Sequence, residues 1–465
     1  KQLTEPNVIN DDSIEIMKSK IEKGESVDVI LSNPPYINQN KKDKNFTEPH
    51  KEILKDLTNG KIDIYQVFLK LSVDILSPNG YGLFVLPHNF LIAESSKKLR
   101  NYILDYCSIE VVADLSAINV FENVSTYTML LIIRKKDLHS PSKNSSWLLK
   151  CKSSVGEALN QLLNENESEN KYYQTYKAFD YFKPNSEWYI LNKPEFELLS
   201  KIKENKQVDN FLKLNQGIVT GKDSVFIRNG SDVLKKERNI YKRFLPDKQI
   251  SSFLSEPDKD LLIFYPFVNN ELITENLLEK NFPETWEYIK SKKNILSEER
   301  GKVRKGQLTW WKLHSSGKPE SVNSPKIVAP YLSITPKFSL DLEGDYITSR
   351  SPYLTIKENG DSNLLYYFLG VLNSVPFYWS LTLQAHKQAS GYNIFPISVL
   401  KKATVPDPTL SDNFALVSKI ILLVKNRIIE DNFTRQFELE NEINIAVCDL
   451  YRLTNSEKEI LGINL

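Results

Sequence analysis

The sequence is poor in the residues that staple, ligate or anchor a chain. Only three cysteines, Cys107, Cys151 and Cys448, are spread over 465 residues. None falls in a Cys-x-x-Cys or Cys/His spacing, which argues against structural zinc. So few cysteines, behind a start that does not read as a secretion signal, lead us to expect a reducing cytoplasm. Long apolar runs are also missing. The most apolar stretch near the end, Phe414 to Val424, is broken by Lys419 and is too short to span a bilayer, so no membrane partner is expected. Nor is one sign of charge in excess, because the formal net charge is only +1. A nucleic-acid binder with that balance must gather its cations on one face. Methionine occurs only at positions 17 and 129, and the sequence starts at Lys1. That start reads as a fragment or a processed product.

What is present is globular. Hydrophobic residues make up 41% and charged residues 26%, with 22 Tyr, 22 Phe and 6 Trp, enough apolar mass for sizeable cores. At roughly 100–200 residues per domain, two or three domains are expected. Asp28 to Leu31 reads as a buried strand, as do Tyr81 to Leu86, Val111 to Leu115 and Tyr127 to Ile133. Helical patterns at Ile64–Leu76 and Ser95–Tyr106 lie between them, which predicts an α/β fold with a mostly parallel sheet. Ser140 to Ser146 has linker composition. We therefore expect a first domain over 1–138, a linker region over 139–175, an α+β domain over 176–410 and a helical segment over 411–465. In that last segment Phe437, Ile443, Val447 and Leu450 recur at helical spacing.

Chemistry concentrates at residues 28–36, Asp-Val-Ile-Leu-Ser-Asn-Pro-Pro-Tyr. A strand ends at Leu31 and is followed at once by Asn33, Pro34, Pro35 and Tyr36. Ligand sites in open α/β sheets lie beyond the carboxyl ends of strands. Two prolines stiffen the backbone and remove two N–H donors. What remains is a rigid arc of acceptors, the Asn33 side-chain oxygen and the Pro34 carbonyl, with the flat Tyr36 ring beside them. Such a set suits the exocyclic amine of a nucleobase. Its lone pair is delocalised into the ring, and two acceptors that hold both N–H bonds favour a tetrahedral nitrogen. A base in duplex DNA reaches such a pocket only by flipping out.

These residues resemble the motif of amino-methyltransferases that use S-adenosylmethionine. The Asn-Pro-Pro-Tyr form is typical of adenine-N6 DNA enzymes and also of glutamine-N5 protein methyltransferases. Ile62 to Lys70, Ile-Asp-Ile-Tyr-Gln-Val-Phe-Leu-Lys, looks like the following helix of the Taq-type adenine enzymes. There Phe68 matches an aromatic that contacts the cofactor, with Tyr65 nearby; a core aromatic is the alternative for Phe68. Val120 to Thr128 resembles the segment that supplies a second aromatic to the flipped base, through Phe121 or, second choice, Tyr127. Val8 to Ile14 resembles the strand end whose acidic residue receives the cofactor's adenine amino group. Asp12 or Asp11 fills that role, unless Asp12 is simply a helix N-cap. The order of these pieces fits the gamma arrangement. The family's glycine-rich cofactor loop would lie upstream of Asp12, where no glycine stands, so we expect that motif to be missing from this sequence by truncation and this fragment alone to bind the cofactor poorly, with inactivity as one expected consequence.

The resemblance continues in the second half. Gly217-Ile-Val-Thr-Gly221 and Phe226 look like the start of a target-recognition domain. Pro325 to Pro330 and Lys337 to Asp341 look like a later strand pair of it, and Tyr366 to Ser374 like the helix after. Ser390-Gly-Tyr392 and Phe395 continue it. Arg300, Lys302, Arg304, Lys305 and Lys312 gather around Trp310 and Trp311, a mixture suited to phosphate contacts and stacking; a solvated loop with two core tryptophans is the other reading. Lys41, Lys42 and Lys44 follow the Asn-Pro-Pro-Tyr loop and are candidate contacts to the strand beside the flipped base, or a surface loop.

The resemblance thus implies a partial Rossmann-like S-adenosylmethionine methyltransferase domain, an α+β DNA-recognition domain and methylation of adenine N6 in double-stranded DNA within a restriction–modification system. It implies a restriction endonuclease as partner or fused domain. The rivals are a fragment of a fused nuclease–methyltransferase, a non-enzymatic DNA-binding subunit, and a protein-glutamine or RNA methyltransferase. No metal is expected to take part.

Overall fold

A computed structural model describes residues 7–37, 48–58, 62–118, 127–137, 145–153, 156–257, 260–357, 361–387 and 391–463. The chain divides into two compact units. One comprises Lys1–Phe196 with Lys387–Gly391, and the other Glu197–His386 with Tyr392–Leu465.

The first unit is a seven-stranded sheet with helices. Its strands are β1 (Val27–Ser32), β2 (Leu76–Pro87), β3 (Cys107–Asp114), β4 (Thr128–Lys135), β5 (Ser145–Cys151), β6 (Ser168–Glu169) and β7 (Tyr173–Phe179). They lie in the order β1-β2-β4-β3-β5-β7-β6. The helices are α1 (Ser13–Glu22), α2 (Glu48–Ile53), α3 (Ile64–Ile75), α4 (Lys97–Tyr106) and α5 (Gly156–Leu163). The four strands expected from continuous apolar runs all form, and so do the two helices between them. The core holds Phe84, Leu86, Val112, Met129, Leu131 and Ile133, all fully buried.

Three expectations need correction. The sheet is mixed, not mostly parallel. β1–β2 and β3–β5 pair parallel, whereas β2–β4, β3–β4, β5–β7 and β6–β7 pair antiparallel. A continuous apolar run reports burial, and burial carries no information on strand direction. The expected linker of 139–175 contributes strands and a helix to the first unit, because Ser145–Cys151 pairs with both β3 and β7 and buries Leu148 and Leu149 completely. The first compact unit accordingly runs to Phe196 and not to residue 138. Finally, β1 is not a buried strand. Among the described residues it is the sheet's edge, with β2 as its one neighbour. Val29 and Leu31, two apart and therefore on one face, are 60% and 74% exposed.

The second unit is α+β. Leu212–Asn215, Tyr353–Ile356, Lys326–Val328 and Ser339–Asp341 form an antiparallel four-stranded sheet. The strand pair expected from 325–330 and 337–341 is its outer ladder, where Lys326 faces Asp341 in register. Both side chains are buried and ion-paired at 2.8 Å, which is how a lysine survives in a core strand. A second four-stranded sheet contains Ile227–Asn229, Leu261–Phe264, Tyr241–Phe244 and Tyr346–Ile347. Helices Leu364–Asn373, Phe414–Ile429 and Phe433–Leu450 complete the larger core. At Gly370 an added Cβ would stand 2.8 Å from Ile420, so glycine there lets the first two of these helices touch. Phe437 is not part of that core. It is 70% exposed, whereas Leu439, Ile443, Ala446, Val447 and Leu450 form the buried stripe. No helix among the described residues is long and apolar enough to cross a membrane.

Candidate functional site

Residues 33–36 leave β1 at its carboxyl end. Because β2 runs parallel beside it, with Ser32 opposite Phe84, they stand on the ligand side of the sheet. Asn33 and Pro35 are exposed, Pro34 is buried and Tyr36 is half-buried. The rim is fastened just beyond, where the Ile64 N–H at the start of α3 donates to the Ile37 carbonyl at 3.1 Å. Tyr36 meets Tyr65 of α3 edge-on, with ring centroids 6.2 Å apart and planes at 86°. Tyr65 continues edge-on to Phe90 at 6.3 Å, and Phe90 to Trp188 at 5.8 Å. A chain of perpendicular rings therefore backs the rim. Gln66 Nε2 donates to Ser96 Oγ at 3.0 Å and locks α3 to the turn before α4. The Tyr36 hydroxyl is buried and finds no hydrogen-bond partner among the described residues. Burial, helped by the negative charge of Asp63, pushes its pKa up to about 12, so the phenol stays neutral.

The residues expected at the cofactor converge on the same helix. Phe68 is half-buried and packs with Ile37, Met17 and the buried Ile14 in a small cluster between α1 and α3. Asp12, two residues before Ile14, is the N-cap of α1. Its Oδ1 accepts the Ile14 N–H at 2.8 Å, and Asp11 accepts the Asp12 N–H at 2.8 Å. Both carboxylates are exposed. One helix, α3, thus sets Tyr65 against Tyr36 of the rim and Phe68 against the apolar cluster that includes Ile14 of α1. Phe121, Lys41, Lys42 and Lys44 lie outside the described residues. Tyr127 is described, and its carbonyl accepts the His88 N–H at 2.9 Å.

The sequence pattern did not reveal one polar cluster on this side of the sheet. His88 follows β2 and Asp114 ends β3, and their side chains pair at 3.4 Å, both residues more than nine-tenths buried. Asp114 also accepts the Ser116 N–H at 2.8 Å, and Lys387 stands 3.7 Å away. Burial alone would raise the Asp114 carboxyl, but His88, Lys387 and Ser116 outweigh it and hold it well below the usual carboxylate range. Both residues occupy strand ends that the hydrophobic runs had already marked, which is the signal that could have found them.

The basic cluster of the second unit separates into two kinds of residue. Lys302, Arg304 and Lys305 are exposed. Arg300 is not available to a phosphate, being 1% exposed. Its guanidinium donates to the carbonyls of Trp310 at 2.7 Å, Lys312 at 2.5 Å and Thr220 at 3.2 Å. Burial lowers its pKa to about 10, so it remains a cation. Trp311 is 2% exposed and donates its indole N–H to Glu275 at 3.2 Å, which removes it as a stacking platform. Trp310 is half-buried and leans on Trp286 at 5.5 Å. Local composition cannot tell these cases apart, because the carbonyls that receive Arg300 come from two separate stretches of chain.

Residues 3–121 match the family described as Eco57I restriction-modification methylase. The chain is 23% identical over 445 residues to Type II methyltransferase M.BstVI of Geobacillus stearothermophilus, covering 93% of this chain and 75% of that protein. It is 22% identical over 461 residues to Type II methyltransferase M.BanIII of Aneurinibacillus aneurinilyticus, covering 93% of this chain and 78% of that protein. In fold it is similar to the Type IIL restriction-modification enzyme MmeI, solved in complex with DNA, with a TM-score of 0.65 at 13% identity. That match takes in 98% of this chain, which spans 59% of the MmeI chain.

Proposed function

We propose that this chain is the target-base and DNA-reading part of a site-specific DNA methyltransferase of the restriction–modification kind, acting on adenine N6. The observation that carries the reading is the rim at the end of β1. Asn33 is exposed there, Pro34 can offer only its carbonyl, and the Tyr36 ring is held by Tyr65. Asn33 Oδ1 and the Pro34 carbonyl accept the two N–H bonds of the flipped adenine's amine and turn its lone pair outward. Tyr36 stacks on the base, with Phe121 as its proposed partner on the other face. Catalysis rests on positioning and on fixed dipoles.

S-adenosylmethionine, the proposed donor, supplies an electrophilic methyl group when bound. The residues around α3 fit its adenosine end. Asp12 or Asp11 offers an exposed carboxylate to an exocyclic amine, and Phe68 offers a half-exposed ring. The Asp12 carboxylate serves the α1 N-cap through one oxygen, so the remaining oxygen is the one proposed to face the cofactor. In the second unit, Lys302, Arg304 and Lys305 are proposed to neutralise phosphates, and a restriction nuclease is the proposed partner or companion domain.

The test is transfer of labelled methyl groups to plasmid DNA by the protein with its upstream cofactor motif restored. Asn33→Ala should lower the rate by at least about a hundredfold, the scale of removing one fixed polar group aimed at a transition state. DNA affinity should change less than about twofold, because the rim neutralises no phosphate. Wild-type rates in that variant would remove the assigned role of the rim.

A further inference from the structure

A buried arginine that donates only to carbonyls has backbone oxygens, which carry no net charge, to offset its cation. Arg300 is such a residue. Two of its acceptors, Trp310 and Lys312, lie ten and twelve residues further along the chain. Arg300 therefore closes the neck of a loop over residues 300–312. The third acceptor, Thr220, belongs to the Gly217–Gly221 turn. Lys222 and Glu299 form an ion pair that ties the same two segments from outside. The Phe226 ring lies 5.3 Å below the guanidinium. On the turn, Gly221 has φ +82°, and a Cβ there would stand 2.8 Å from the His314 ring. Glycine is thus required both by the backbone and by the histidine that covers it. Directly after the neck, on the short helix Gly301–Arg304 and at its end, stand the exposed Lys302, Arg304 and Lys305, with Gly306 at φ +67° making the return.

Taken together, the geometry points to the following assignment, which rests on the DNA-methyltransferase reading above. We propose that Arg300 is a positioning residue that clasps the neck of the 300–312 loop to the Gly217–Gly221 turn, so that Lys302, Arg304 and Lys305 are held ready for the phosphates of duplex DNA. Holding the loop closed before binding removes the ordering cost that a free basic loop of this length would otherwise meet on the DNA. The planar guanidinium reaches three oxygens in different directions at once. A lysine ammonium, on a flexible stem, cannot reproduce that fork. The buried cation, surrounded by neutral acceptors, adds to the positive field at the loop's base.

Three proteins test this: Arg300→Lys, which keeps the charge and removes the fork; the triple variant Lys302→Ala, Arg304→Ala, Lys305→Ala; and the combination of the two. Each is titrated with a mixed-sequence DNA duplex over a range of salt concentrations, and each is digested with trypsin without DNA. The triple variant should flatten the dependence of log affinity on log salt by about 2 to 3, at roughly 0.9 for each phosphate that is no longer neutralised. Arg300→Lys should flatten it nearly as much, and the combination should flatten it no further. Trypsin should cut within 302–305 at least about tenfold faster in Arg300→Lys, since an unclasped loop opens to the protease. A folded Arg300→Lys protein with the wild-type salt slope and wild-type cleavage overturns the clasp. Additive flattening in the combined variant overturns it as well, because independent contributions mean that Arg300 does not act through the loop. If Arg300→Lys does not fold, Gly221→Ala, which pushes His314 off the turn, replaces it with the same expected slope and cleavage. Fast cleavage combined with a wild-type chain that shows no affinity for duplex DNA would leave the clasp in place and remove the DNA reading on which its purpose rests.

Discussion

Two regions rich in polar and aromatic residues stand out in the sequence, and they differ in the structure. The rim at 33–36 stands on the ligand side of its sheet, with Asn33 exposed and Tyr36 held by a neighbouring ring. The cluster at 300–312 turns Arg300 and Trp311 into the interior and keeps Lys302, Arg304 and Lys305 outside. The first owes its shape to adjacent residues, a strand end and two prolines, and adjacent residues can be read along a line. The second depends on partners ten, twelve and eighty residues away from Arg300, and nothing in its composition announces them.

The sharpest way to press this comparison is to alter one ring of the rim. Tyr36→Ala should slow methyl transfer by about 10- to 100-fold, the worth of one stacking platform under a base. Tyr36→Phe should stay within about twofold of wild type, because the hydroxyl it removes is buried with no hydrogen-bond partner among the described residues. A large drop in Tyr36→Phe, measured under the same conditions, would mean that the hydroxyl and not the ring does the work.

The same contrast between local and distant causes runs through the fold. The apolar runs revealed four of the seven strands of the first sheet, and the 3.6-residue period revealed α3 and α4. Strand direction escaped, because β4 enters between β2 and β3 antiparallel to both. Phe437 escaped too, since it is apolar and falls near the helical stripe, yet lies on the outer side of its helix. Ile443→Ala should lower stability by about 2 to 5 kcal/mol in chemical denaturation, as expected for a fully buried side chain. Phe437→Ser should remain within about 0.5 kcal/mol of wild type. Equal destabilisation would mean that the exposed face is packed in solution.

His88 and Asp114 test whether strand ends on the ligand side carry more than the motif. Asp114→Asn should cost about 3 kcal/mol at neutral pH, because it leaves His88 and Lys387 without their carboxylate. The sign follows from a carboxyl whose folded pKa is depressed. Its contribution is complete above the unfolded value of about 3.9 and is lost as pH falls toward the folded value. The gap between wild type and Asp114→Asn should therefore narrow in urea melts as pH is lowered through the acid range. A gap that widens on acidification would contradict the direction assigned to Asp114.

The smallest expected effect belongs to the exposed end of the basic loop. Arg304→Ala with Lys305→Ala should weaken binding of all duplexes alike and flatten the salt dependence by about 1 to 2. A change confined to one DNA sequence would instead assign those side chains to base recognition.

One measurement bears most directly on the chemistry assigned to the rim. Plasmid DNA is incubated with the protein, its upstream cofactor motif restored, and labelled S-adenosylmethionine, then hydrolysed to nucleosides and separated. The label should be carried by N6-methyldeoxyadenosine. Label carried by a methylated cytosine, or found on protein while the DNA remains unlabelled, would contradict the claim that Asn33, Pro34 and Tyr36 hold an adenine amine.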